Sequence, residues 1–136
     1  MSETIEQKCL SKGVKLTDQR KVIAQVMSQS SDHPDVDELY NRVSKIDPKI
    51  SIATVYRTVK LFQEAGILAK HDFRGGKARY EEMSESHHDH LIDVKTGDII
   101  EFVDDEIEKL QKKVAEKYGY ELVDHKLELY GIKKKT

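Results

Sequence analysis

Cysteine is almost missing from this 136-residue chain: Cys9 is the only one. An internal disulfide framework is therefore excluded, and so is a zinc site built from several thiolates of one chain. A lone thiol also fits a reducing compartment, and a cytoplasmic location is expected. Long apolar runs are missing too. No stretch approaches the roughly 20 residues needed to span a bilayer, so no membrane association is expected. The N-terminal residues MSETIEQKC have neither a basic segment nor an apolar one, so no secretory signal is expected. Aromatic residues are sparse at 7% and charged residues abundant at 35%, the balance of a soluble, hydrophilic protein.

A surplus of positive charge is lacking as well. Residues 1–83 carry 14 Lys+Arg against 12 Asp+Glu, and residues 84–136 carry 9 against 13. A balance of +2 in the first half is no electrostatic footprint of a nucleic-acid binder, so any such role must rest on motifs. At this length the chain accommodates one ordinary domain or two small ones.

The first half reads as successive short helices. Ile5 to Ser11 forms a brief one, closed by Gly13. Thr17 is a good N-cap for the next, which places Val22, Ile23, Val26 and Met27 on one face. Asp32-His33-Pro34 breaks the chain before a third helix with Val36, Leu39, Tyr40 and Val43 at helical spacing. Asp47-Pro48 ends it, because proline disfavours a helical residue before it. Ser51 caps a fourth helix that runs to Ala65-Gly66, with Ile52, Val55, Val59 and Phe62 on an apolar stripe. Thr54, Tyr56, Arg57 and Lys60 lie away from that stripe. Two extended runs, Leu68–Phe73 and Lys77–Glu82, meet through Arg74-Gly75-Gly76, which suits a tight hairpin. Helix, break, helix, hairpin is the pattern of a winged helix-turn-helix, whose outward-facing helix enters the major groove.

The polar run at 82–86 marks the expected hinge, giving domains of 1–83 and 84–136. The second begins with strands His87–Val94 and Asp98–Val103, turned at Thr96-Gly97. A helix capped by Asp104 follows from Asp105 to Tyr118 and stops at Gly119. A last strand is expected from Tyr120 to about Tyr130, with His125, Leu127 and Leu129 on one face. The fold class expected is α+β: a winged-helix domain followed by a small α/β domain of about three strands and one main helix. Some 50 residues of that kind bury too little alone, which points to a homodimer.

The most informative stretch is His87-His88-Asp89-His90, since the whole chain has only six histidines. On a strand, side-chain parity pairs His87 with Asp89 on one side and His88 with His90 on the other. Each pair can grip one ion, so two back-to-back half-sites are expected, completed from among His33, Glu81, Glu101, Glu108 and His125. Nitrogen and oxygen donors without thiolate suit Fe(II), Mn(II), Co(II) or Zn(II) and disfavour Cu(I).

Three segments together resemble the ferric uptake regulator family. Gly13-Val-Lys-Leu-Thr-Asp-Gln-Arg20 resembles the family's N-terminal DNA-contacting segment. Ser51-Ile-Ala-Thr-Val-Tyr-Arg-Thr-Val59 resembles its recognition helix, and His87-His88-Asp-His-Leu91 its metal-site signature. The resemblance spans nearly the whole chain in the family's order. It implies a regulatory site at His33, Glu81, His88, His90 and Glu101, and a second site at His87, Asp89, Glu108 and His125. DNA contacts would fall on Lys15, Arg20, Thr54, Tyr56 and Arg57. It further implies an Fe(II)-dependent repressor that binds an A·T-rich double-stranded DNA operator and uses no organic cofactor. The assembly expected is a homodimer, with a tetramer as the alternative. Mn(II), Zn(II) or Co(II) are expected to substitute for Fe(II), and manganese or zinc control is the alternative within the family. One departure stands out. Many members hold a structural zinc with two Cys-x-x-Cys pairs, whereas here Asp93 and Thr96 occupy the first pair's positions; no structural zinc held by four cysteines is expected.

Two readings from other classes fare worse. A metal-dependent hydrolase needs an open coordination position and a substrate cleft, and no nucleophile motif is present. A metal-storage protein without DNA binding leaves the winged-helix pattern unexplained.

Overall fold

The computed structural model describes residues 4–73, 76–83 and 87–135. Part of the expected hairpin turn (74–75) and part of the expected hinge (84–86) lie outside these residues. The chain divides into two compact units, Met1–Ser84 and Glu85–Thr136.

The first unit holds four helices and a hairpin: α1 (Ile5–Ser11), α2 (Asp18–Gln29), α3 (Val36–Ile46), α4 (Ile52–Glu64), β1 (Leu68–His71) and β2 (Arg79–Glu82). Each helix starts where a short polar side chain satisfies an otherwise orphaned backbone N–H. Thr4, Thr17, Asp35 and Ser51 accept from Gln7, Arg20, Glu38 and Thr54 respectively. The helices then bury one face each. Ile23, Met27, Leu39, Val43, Val55 and Phe62 are among the side chains that close the core. Deleting a buried ring such as Phe62 typically costs about 3–5 kcal/mol, so this packing holds the unit together.

One residue departs from the expected stripe of α4. Ile52 is 39% exposed, while Thr58 is buried. The buried arc, made by Val55, Thr58, Val59 and Phe62, is centred closer to Phe62 than the apolar residues alone suggested. Ile52 falls at its edge, in the first turn of the helix.

The hairpin pairs antiparallel, with Leu68 opposite Glu82 and His71 opposite Arg79. Its second strand is tied to the loop before α3. The Tyr80 N–H donates to the Pro34 carbonyl at 3.0 Å, and Arg79 Nε donates to the His33 carbonyl. His33, at the helix break, is thereby held against β2.

The second unit holds β3 (Asp89–Asp93), β4 (Ile99–Phe102), α5 (Asp105–Lys117) and β5 (Glu128–Gly131). Its sheet has the order β4-β3-β5, with β3 antiparallel to β4 and parallel to β5. The β3–β4 turn forms at Gly97, whose φ of 80° favours glycine. Asp104 caps α5, and Gly119 follows its end with φ 81°.

The strands are shorter than expected. The last one was expected over 120–130 but pairs only from Glu128. Its ladder with β3 begins at His90 opposite Glu128, and a strand without a partner has no ladder to join. His87 and His88 likewise precede the first residue of β3.

This unit has little interior of its own. Ile92 is its one buried apolar side chain among the described residues, and α5 buries none. Ile100, Leu110, Val114, Tyr118, Leu129 and Ile132 are all more than 40% exposed.

Candidate metal centre

The four residues of the expected second site lie together within the second unit. His87 and Asp89 come from the entry to β3, Glu108 from the first turn of α5, and His125 from the irregular segment before β5. One donor atom from each lies within 4.8 Å of all the others. His87 Nε2 is 2.9 Å from Asp89 Oδ1 and 2.9 Å from His125 Nε2. His125 Nε2 is 3.2 Å from Asp89 Oδ1 and 3.4 Å from Glu108 Oε1. Four donors set about 2.1 Å from one central ion stand roughly 3.4 Å apart at the corners of a tetrahedron, so these separations match the edges of a coordination shell.

Burial makes the case for a cation stronger. Asp89 is 1% exposed, yet its Oδ2 has no hydrogen-bond partner among the described residues, and neither does the buried Oε1 of Glu108. An unpaired buried acceptor costs on the order of 1–3 kcal/mol, more for a charged group. Two carboxylates so placed beside two imidazoles are poor as a closed hydrogen-bond network. They are good as ligands of a divalent ion. The residues present fit a metal.

The residues expected at the regulatory site form two pieces, one in each unit. In the first unit, His33 Nε2 lies 2.7 Å from Glu81 Oε2, and both side chains are nearly buried. In the second unit, His90 sits opposite Glu101 in the β3–β4 ladder, its ring 4.9 Å from that of His88. His88 Nε2 is 3.6 Å from Glu101 Oε1. Parity thus sorts the two histidine pairs as expected: His87 turns to Asp89, and His88 to His90.

On α4, Tyr56 is 53% exposed, Arg57 is exposed, and Thr54 is half-buried. The Thr54 hydroxyl contacts Ser51 Oγ at 3.0 Å and accepts from Arg57 Nη2 at 3.4 Å. Lys15 is exposed, whereas Arg20 folds back to donate to the Lys15 carbonyl at 2.8 Å.

The model of the ferric uptake regulator family matches residues 11–130. The chain is 58% identical over 132 residues to the ferric uptake regulation protein of Rhizobium leguminosarum bv. viciae, covering 97% of this chain and 93% of that one. The chain belongs to the ferric uptake regulator family. Among solved structures, a zinc-bound manganese uptake regulator is 57% identical, with a TM-score of 0.85 and coverage of 97% of this chain and all of that one. The Helicobacter pylori ferric uptake regulator, described as having three functional metal binding sites, is 29% identical with a TM-score of 0.87. It is covered over 95% of its length by 98% of this chain. Proteins of this family are metal-responsive transcriptional regulators and not enzymes, and this chain is one of them.

In this family member the turn at 93–96 is held by hydrogen bonds. Asp93 Oδ1 accepts from the N–H groups of Lys95 and Thr96 at 2.8 and 3.2 Å, and these bonds draw its carboxyl below the usual range. The turn is closed without cysteine.

Two residues near the donors escaped the sequence reading. His71 Nε2 lies 2.7 Å from Glu81 Oε1. The signal for it was the hairpin register, which sets residues 71 and 81 on one face. Glu128 is the ladder partner of His90 across β5 and is held by Tyr130 Oη at 2.6 Å and Lys126 Nζ at 3.0 Å. Its position depended on where β5 began.

Proposed function

We propose that this regulator is a repressor in which a divalent ion joins the two units and so sets the spacing of two recognition helices in a homodimer. The DNA-binding unit is then residues 1–83 and the dimerisation and metal-binding unit 84–136, with the hinge at 82–86. His33 and Glu81 supply donors from the first unit, and His88, His90 and Glu101 from the second. The observation that carries this reading is the preformed pairing in each unit of imidazole with carboxylate, His33 with Glu81 and His88 with Glu101. The second site, of His87, Asp89, Glu108 and His125, is complete within one unit, and its ion braces the sheet against α5.

The exposed apolar residues of the second unit support dimerisation through that unit. The DNA contacts proposed are Tyr56, Arg57 and Thr54 from α4, Lys15 from the segment before α2 and Arg20 from its first turn, which also donates to the Lys15 carbonyl. Tyr56 can meet a thymine methyl, and Arg57 a phosphate or a guanine edge. Replacing Tyr56 by Ala is expected to lower affinity for the operator more than for random DNA. Fluorescence anisotropy on both fragments checks it, and equal losses contradict base reading.

The effector proposed is Fe(II), acting in the cytoplasm on an A·T-rich inverted repeat at iron-uptake genes. Manganese is the second reading, favoured by two solved relatives at 57% identity that are named manganese uptake regulators. The donor set does not separate these ions by type, and affinities rise from Mn(II) to Fe(II) at any nitrogen and oxygen site. The test is DNA binding by metal-stripped protein, titrated anaerobically with Fe(II), Mn(II) and Zn(II). Tight binding at micromolar Fe(II) supports iron, activation by Mn(II) at lower concentration supports manganese, and no metal-dependent binding overturns the reading.

A further inference from the structure

Glu81 has a histidine on each oxygen. His33 Nε2 stands 2.7 Å from Oε2, and His71 Nε2 stands 2.7 Å from Oε1. The centroids of the two rings are 6.2 Å apart and their planes are tilted by 57°. The arrangement follows from the hairpin. Ala69 pairs with Glu81 and His71 with Arg79, so His71 is the diagonal neighbour of Glu81 on one face of the ladder. The His71 ring is further fixed by stacking on Phe73, with centroids 5.2 Å apart and planes within 13°. Both side chains of the pair are largely withdrawn from water, at 14% and 12% exposed.

His71 Nε2 meets Glu81 Oε1 in hydrogen-bond geometry. In the tautomer that carries its hydrogen on Nε2, His71 donates to the carboxylate, and a hydrogen bond to an ionised carboxylate is among the strong ones. With Oε1 engaged, Oε2 is the oxygen that remains beside His33.

We propose that His71 is a positioning residue for Glu81: its N–H holds Oε1 and restricts Glu81 to binding the regulatory ion through Oε2 alone. This rests on the reading of His33 and Glu81 as metal ligands given above. A carboxylate held in this way contributes one bond to the ion rather than two, which limits coordination number and fixes the direction of approach. Removing a partner that stands behind a metal ligand typically lowers affinity by about 10–100-fold. The bond also ties the last residue of β1 diagonally across the hairpin to β2.

The test uses the full-length protein, metal-stripped and carrying His125→Ala, so that the Co(II) signal comes from the regulatory donors. Co(II) is titrated while the visible d–d bands are recorded, since their position and intensity report coordination number. His71→Phe keeps a ring against Phe73 but has no N–H to give. It is expected to weaken Co(II) binding by about 10–100-fold and to shift the bands toward higher coordination as both oxygens of Glu81 reach the ion. His71→Gln, whose amide can donate in its place, is expected to recover most of the affinity and the original spectrum. Wild-type affinity and spectrum in His71→Phe, with binding lost in Glu81→Ala, overturns the positioning role and leaves the ligand reading standing. Binding unchanged in Glu81→Ala overturns the ligand reading itself. If His71→Phe does not fold, His71→Leu takes its place with the same two outcomes.

Discussion

Replacing His90 by Ala is expected to remove metal-dependent operator binding while leaving the dimer assembled. His90 is 5% exposed and lies on the central strand of its sheet, with Glu101 opposite on one side and Glu128 on the other. Its removal leaves His88 beside Glu101 as the imidazole of this half of the site. The ion can shift the equilibrium between conformations only as far as it binds one better than the other. For couplings of this kind that amounts to about 1–3 kcal/mol, or roughly 5–150-fold in DNA affinity. The variant should lose that factor and keep its metal-independent affinity. Anisotropy titrations with and without Mn(II), paired with sedimentation equilibrium, check both halves. A variant that still responds to the ion would sink the proposed mechanism.

Asp89→Asn is expected to cost the metal-free protein little and the metal-loaded protein much. In the metal-free protein Asp89 Oδ2 has no hydrogen-bond partner among the described residues, and Asn keeps an oxygen that can face His87 and His125 as Oδ1 does, so the change leaves those contacts and removes the cost of burying an unpaired carboxylate oxygen. With an ion present, the same change deletes an anionic ligand at the centre of the four. A site saturated at roughly 100 times its dissociation constant stabilises the fold by about 2.7 kcal/mol, and losing it lowers the metal-loaded Tm by several degrees. Calorimetric titration should show one ion fewer per protomer, and thermal scans a smaller rise on adding Zn(II). Unchanged stoichiometry would remove Asp89 from the ligand set.

Much of the fold was legible because local rules governed it. Thr17, Ser51 and Asp104 cap helices as their side chains suggested, and Gly119 follows the end of α5. The split of His87-His88-Asp89-His90 into two directions follows from strand parity even though its first two residues precede the ladder. What stayed hidden depended on distant partners. The length of β5 is set by β3, the burial of Thr58 by the packing around α4, and the turning of Arg20 onto the Lys15 carbonyl by the fold of one loop. His71 escaped for a related reason: nothing in its neighbourhood sequence singles it out, and its role appears only once Glu81 is placed across the hairpin.

The alternation along residues 87–90 makes spacing more critical than composition there. Deleting Leu91 alone would turn every donor in the run to the other side of the strand. His88 would then face Glu108 and His125, and His87 and Asp89 would face Glu101. All four side chains would survive, yet each would meet the wrong companions. A point substitution in this run disables one site, whereas a one-residue frame slip disables both at once. In natural variants of this segment, changes of residue type should therefore outnumber changes of length.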